Sequence, residues 1–296
     1  SSLIKNIGLP YKLAKSFLMV RSIVKRFKPD AVIGVGGYSS FPVLRVAQAK
    51  RIPTFIHESN SFAGKSNMML GKKATKIFTG TDGMEKFFPK EKIMVTGNPV
   101  RKAITEALVS RKEGIEFFSL EESKTTVLVV GGSLGAKSIN EAIDKGLDEL
   151  LVAGLQIIWQ TGKPYAEKGT QRAEGKQAVW VNEFITQMEY AYAAADIVVA
   201  RAGAMTVAEL CVAKKPVLFV PYPFAAEDHQ TVNAMALIKK NAALMVKDTE
   251  AKQKLVFMTI ELAKDKGKQE ELETNISKLA ITDADVKVAE EILKLI

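Results

Sequence analysis

The 296-residue chain is 47% apolar and 25% charged, carries a formal net charge of +9 and has one cysteine. The length suits two α/β lobes, and the composition is that of an ordinary globular protein. No apolar run approaches the ~18 residues needed to span a bilayer, the opening Ser1–Asn6 lacks the apolar stretch of a leader peptide, and the lone Cys211 excludes an internal disulfide and fits a reducing compartment.

In chain order, residues 11–27 read as a helix with apolar positions at helical spacing and Lys and Arg beside them. Short apolar runs at 31–35, 54–57, 76–79 and 92–96 then read as buried parallel strands. Turn residues at Gly97-Asn98-Pro99-Val100 suggest a boundary, and the charged stretch Ser110–Lys124 leads into a fresh strand at 126–130. Further strands are expected at 156–160, 178–181, 197–200, 216–220 and 243–245, with helices at 138–151, 187–194, 204–213 and 229–239. Strands alternating with helices imply parallel sheets with right-handed crossovers. The expected fold is therefore α/β with two doubly wound lobes, residues 1–100 and 101–281, and a C-terminal helix (282–296) packing back on the first.

Three strand-to-helix junctions of the second lobe carry chemistry. Gly131-Gly132-Ser133-Leu134-Gly135-Ala136 follows a strand and opens a helix. Its glycines let backbone approach an anion, and the helix end offers free N–H groups and a positive dipole, so a phosphate or pyrophosphate is the natural guest. A tight turn that merely needs glycine is the plainer reading. Arg201 to Glu209 forms a second junction, with Gly203 at the turn and Glu209 positioned to accept from two vicinal ribose hydroxyls, or else to complement the helix dipole. Asp228 to Ala234 forms the third. All three point to the carboxyl ends of parallel strands, where such sheets bind ligands.

The first lobe is less explicit. Gly34-Val35-Gly36-Gly37 lacks the full dinucleotide spacing. His57 and Glu58, at a strand end, read either as an acid/base pair or as structural residues. Two histidines without ligand spacing make a metal site improbable. Cys211, within the apolar stretch Ala208–Val212, reads as a buried structural thiol. The positive charge suggests an anionic partner, and the absence of basic motifs interleaved with aromatics argues against nucleic acid.

Together these residues resemble the MurG family, the bacterial peptidoglycan N-acetylglucosaminyltransferases. The resemblance runs from Lys28-Pro29-Asp30 through His57-Glu58-Ser59-Asn60, Gly97 to Arg101, Val129 to Ala136, Glu183-Phe184-Ile185, Arg201 to Glu209 and Asp228 to Ala234. It implies the two-lobed GT-B fold. It also implies inverting transfer of GlcNAc from UDP-GlcNAc to the C4 hydroxyl of MurNAc in lipid I, giving lipid II, by a peripheral protein at the cytoplasmic face of the plasma membrane, without metal or cofactor. Carried over by motif, Asn60 and Arg101 would contact the donor, Ser133 would sit at the phosphate loop and Ile185 would meet uracil through its backbone. Ala204, Met205, Thr206, Val207, Ala208 and Glu209 would hold phosphates and ribose, and Gln230 would reach the sugar. The basic helix near Tyr11–Arg21 would rest on anionic lipid.

The family's opening strand and Gly-rich, His-containing loop have no counterpart in this sequence, which is expected to start about two β-α units late, roughly 60 residues. Neither His57 nor His229 takes the place of that histidine, so the catalytic base is unassigned, the N-terminal lobe is expected to be incomplete, and transfer is expected to need the upstream segment. Two other readings stand beside the transferase: a UDP-sugar-binding module without catalysis, and a UDP-GlcNAc epimerase of the same fold, which has no need of a lipid-facing helix.

Overall fold

A computed structural model of the chain describes residues 9–296; Ser1–Asn6, where the absence of a leader was read, lie outside the described residues. The chain divides into two compact units, Ser1–Asn98 with Asp283–Ile296, and Pro99–Thr282.

In the first unit, α1 (Leu9–Phe27) precedes β1 (Val32–Gly34), α2 (Gly37–Ala49), β2 (Thr54–Glu58), α3 (Lys65–Gly71), β3 (Lys76–Thr79) and β4 (Ile93–Val95). The four strands pair in chain order and all in parallel. Every residue of β2 is buried, because the strand has a neighbour on each side, Ile56 packs with Leu44, Leu70 and Ile77, and Phe55 stacks on Phe78. A C-terminal helix, Ala284–Lys294, belongs to this unit, where Lys76 lies 3.4 Å from Glu291.

The second unit runs α4 (Lys102–Thr105), α5 (Arg111–Phe117), β5 (Thr125–Val130), α6 (Lys137–Val152), β6 (Leu155–Gln160), α7 (Ala166–Ala173), β7 (Val179–Asn182), α8 (Met188–Ala194), β8 (Ile197–Ala200), α9 (Ala204–Ala213), β9 (Val217–Phe219), α10 (His229–Ile238), β10 (Leu244–Met245), α11 (Ala251–Lys264) and α12 (Lys266–Ser277). Its six parallel strands lie in the order β7-β6-β5-β8-β9-β10. Alternation along the strands splits the core in two. Val127 and Val129 join Ile157 and Trp159 on one face, while Leu128 and Val130 join Ile158 and Val198 on the other. Each face is covered by helices, so the strands read as unbroken apolar runs.

The charged stretch read as a lead-in to β5 contains a helix of its own. Ser110 and Glu113 form a reciprocal capping box at the start of α5, and Arg111 holds Asp196 through Nε (3.2 Å) and Nη2 (3.0 Å).

Candidate functional site

The strand order of the second unit reverses between β5 and β8. They pair in register up to Val130 and Ala200, so the loops starting at Gly131 and Arg201 leave the sheet side by side. A reversal of this kind opens a crevice at the carboxyl ends of the strands.

The first loop needs its glycines. Gly132 and Gly135 adopt φ of +87° and +73°, and a Cβ on Gly135 would lie 1.9 Å from the carbonyl oxygen of Thr161. Gly135 N–H donates to the Gly132 carbonyl at 3.0 Å, a turn that exposes Ser133 at its tip. α6 then begins without a side-chain cap. Across the reversal, α9 begins after Gly203, also without one. Two helix N-termini, neither with a side-chain cap, therefore lie at the same end of adjacent strands. That is an arrangement suited to a diphosphate.

Within α9, Met205 is exposed and Thr206 half-buried, whereas Val207 and Ala208 pack on the core. Val207 N–H is taken by the Gly203 carbonyl at 2.9 Å. Glu209 lies one turn beyond Met205. Its Oε2 accepts from the Tyr192 hydroxyl at 3.0 Å, and its Oε1 lies 3.4 Å from Arg101 Nη2. Burial first, then the Glu209 charge, pushes the Tyr192 phenol well above its ordinary pKa, so it stays protonated and can only donate here.

At the third junction Glu227 and Asp228 hold positive φ, and Gln230 Oε1 accepts from Tyr222 N–H at 2.9 Å. That bond orients the Gln230 amide. Ile185 is buried, and its N–H donates to Gln160 Oε1 at 2.9 Å. Cys211 is buried, and burial pushes its thiol up to about 12, which keeps it in the unreactive protonated form.

In the first unit, His57 is buried with both ring nitrogens engaged, Nε2 with the Gly97 carbonyl (3.1 Å) and Nδ1 with Ser59 Oγ (3.2 Å). Desolvation lowers its pKa. A neutral ring donating from Nε2 and accepting at Nδ1 satisfies both contacts, so His57 acts as a structural tie between two strand ends. Glu58 organises the loop beyond it. Its carboxylate accepts from Asn60 N–H (3.1 Å), Gly64 N–H (3.0 Å) and Asn67 Nδ2 (2.8 Å), and so fixes the backbone that carries Asn60. Among the described residues no group of three or more His, Cys, Asp or Glu could hold a metal ion.

The sequence matches the glycosyltransferase family 28 N-terminal domain over residues 1–79 and the C-terminal domain over 126–290. It is 49% identical to the UDP-N-acetylglucosamine--N-acetylmuramyl-(pentapeptide) pyrophosphoryl-undecaprenol N-acetylglucosamine transferase of Phocaeicola vulgatus, over 99% of this chain and 79% of that protein. The same-named protein of Parabacteroides distasonis is 45% identical over 99% of this chain and 80% of its own length. The crystal structure of Acinetobacter baumannii MurG superposes with a TM-score of 0.78 at 30% identity, covering 96% of this chain and 79% of that one. The chain belongs to the MurG family of glycosyltransferases. It is an enzyme of the GT-B fold. UDP-GlcNAc 2-epimerase from Neisseria meningitidis, solved with UDP-GlcNAc, shares that fold at a TM-score of 0.72 with 16% identity, covering 98% of this chain and 83% of that one.

One residue that joins two of these loops went unnoticed in the sequence. Gln160, buried at the end of β6, donates from Nε2 to the Gly132 carbonyl (3.0 Å) while its Oε1 takes the Ile185 N–H. It ties the glycine loop to the Ile185 loop. A polar residue closing an apolar strand was the available signal, since a buried amide must find partners for both its ends.

Proposed function

We propose that this protein transfers GlcNAc from UDP-GlcNAc to the lipid-linked MurNAc-pentapeptide, converting lipid I to lipid II, and that the residues assigned from sequence form its donor site. The observation that carries the reading is Glu209, held from two sides by Tyr192 and Arg101 one turn into a helix whose N-terminus is uncapped. An acceptor carboxylate one turn from a helix N-terminus matches a ribose diol attached to a diphosphate. Ile185, whose N–H is committed to Gln160, would meet the uracil through its carbonyl. Ser133 and the first turn of α9, Ala204 to Thr206, would approach the phosphates, and Val207 and Ala208 would support that turn from the core side. Gln230 would present its amide to the sugar, with Asn60 and Arg101 as further donor contacts.

In a direct displacement a general base takes the proton of the acceptor hydroxyl as its oxygen bonds to the anomeric carbon and the bond to UDP breaks, so negative charge grows on the diphosphate. Two helix N-termini stabilise that charge without a proton transfer. The exposed face of α1 interleaves Tyr11, Leu18, Met19, Ile23 and Phe27 with Lys12, Lys15, Lys25 and Arg26, a composition suited to the surface of an anionic membrane. No helix among the described residues is long and apolar enough to cross a membrane, and the reading is of peripheral attachment on the cytoplasmic face.

Titration calorimetry with UDP, UDP-GlcNAc and ADP, paired with transfer to a soluble lipid I analogue, tests this. Uridine nucleotides should bind in preference to ADP, and GlcNAc should appear on the acceptor. A folded protein that binds ADP as well as UDP, or binds neither, sinks the site.

A further inference from the structure

Arg201 opens the loop between β8 and α9, and its side chain is only 10% exposed. A guanidinium so placed must be matched by acceptors, and it draws them from three separate parts of the unit. Nη1 donates to the carbonyls of Val220 (2.9 Å) and Pro221 (3.1 Å) at the end of β9, and to Asp248 Oδ1 (2.5 Å) beyond β10. Nη2 donates to Ser138 Oγ (3.0 Å), in the first turn of α6. Ser138 donates in turn to Asp248, which closes a ring of three side chains. The guanidinium carbon also stands 5.4 Å from the ring centre of Tyr222, the residue whose N–H orients Gln230.

We infer that Arg201 is a positioning residue that fixes the spacing of the α6 and α9 N-termini around the donor's diphosphate; the inference rests on the donor-site reading. Arg201 lies two residues before Gly203, the cap of α9, and grips Ser138, two residues after Ala136, the cap of α6. Its charge is balanced by Asp248, and both its terminal nitrogens are engaged with protein acceptors, so it acts through the two helix ends and not as a phosphate ligand. The field of a helix end fades within one turn, so a small change in their separation weakens both at once. Charge on the leaving diphosphate is greater in the transition state than in the bound donor, and the loss therefore falls on kcat more than on KM.

The test compares UDP and uridine binding to the full chain carrying Arg201→Met, Ser138→Ala or both, with melting temperatures as a fold control. UDP affinity should fall about tenfold or more in Arg201→Met, as expected when a binding group is misplaced by a fraction of an ångström, and by less in Ser138→Ala, while uridine affinity stays near wild type. The double variant should bind UDP like Arg201→Met alone, because one brace can be lost only once. If Arg201→Met does not fold, Ser138→Ala and Asp248→Ala, singly and together, read the same coupling. Additive losses, or equal losses for UDP and uridine, overturn the brace. No UDP binding by the wild-type chain overturns the donor site itself, and this inference with it.

Discussion

The buried hydroxyl of Tyr192 donates to Glu209 Oε2 at 3.0 Å, across from the Arg101 guanidinium 3.4 Å from Oε1. The carboxylate that the proposed site needs for a ribose is thus aimed by a residue the ligand would not touch. Tyr192→Phe should cost about 1 kcal/mol of stability by denaturant titration, the usual worth of one internal hydrogen bond. It should also weaken UDP by a few-fold, since Glu209 then samples more rotamers. Unchanged UDP affinity would show that the aim of Glu209 does not matter.

Glu209→Ala removes the acceptor itself and should weaken UDP by about 1–3 kcal/mol, the usual cost of leaving a hydrogen-bonding group without its partner. Calorimetry with UDP and with 2′,3′-dideoxy-UDP separates the cause. The wild type should prefer UDP, and the variant should bind the two alike. A variant that still discriminates between them would free Glu209 of any ribose role.

The glycine loop gives an ordered pair of stability predictions. A Cβ on Gly132 meets nothing within 4 Å, so Gly132→Ala should cost only the positive-φ penalty, about 1–2 kcal/mol. A Cβ on Gly135 collides with the Thr161 carbonyl, which is backbone and cannot step aside. Gly135→Ala should cost at least about 3 kcal/mol, strain and overpacking combined. Thermal or urea unfolding of the two variants checks the order, and a Gly135→Ala variant as stable as Gly132→Ala would contradict the geometry.

His57 carries a sign that can be measured. Its pKa in the folded chain lies below 6.5, chiefly through desolvation. Between the folded value and 6.5 the unfolded chain binds more protons, so stability rises with pH through this window. His57's contribution is complete above 6.5 and is lost as pH falls through the folded value. The chain has two histidines, so an NMR titration of ring protons, assigned with His57→Gln, resolves it directly. A midpoint at or above 6.5 would refute the neutral, buried assignment.

The α1 face predicts vesicle binding. The chain should sediment with vesicles containing phosphatidylglycerol and be released by salt, since attraction of basic side chains to anionic lipid is worth about 1 kcal/mol each and is screened. Leu18→Glu with Phe27→Glu, both on exposed positions, should reduce binding without lowering the melting temperature. Vesicle binding equal to wild type would move any membrane surface elsewhere.

What the sequence determined by itself was local. Apolar runs marked the strands, glycines marked the turns at Gly131 to Gly135 and at Gly203, and motif order marked the family, because each of these depends on neighbours a few residues away. A helix at Arg111–Phe117 was missed because its cap and charges resemble a linker. Whether His57 was an acid/base partner or a structural residue stayed open until Gly97, forty positions on, was seen to take its Nε2. Tertiary structure alone decided which junctions meet. The order β7-β6-β5-β8-β9-β10 sets Gly131 beside Arg201, brings Arg101 to Glu209 across 108 positions, and gathers Ser138, Arg201 and Asp248 into one ring. Periodicity carries no information about such pairings. They arise only when sheet order, burial and the need to satisfy buried donors are imposed together.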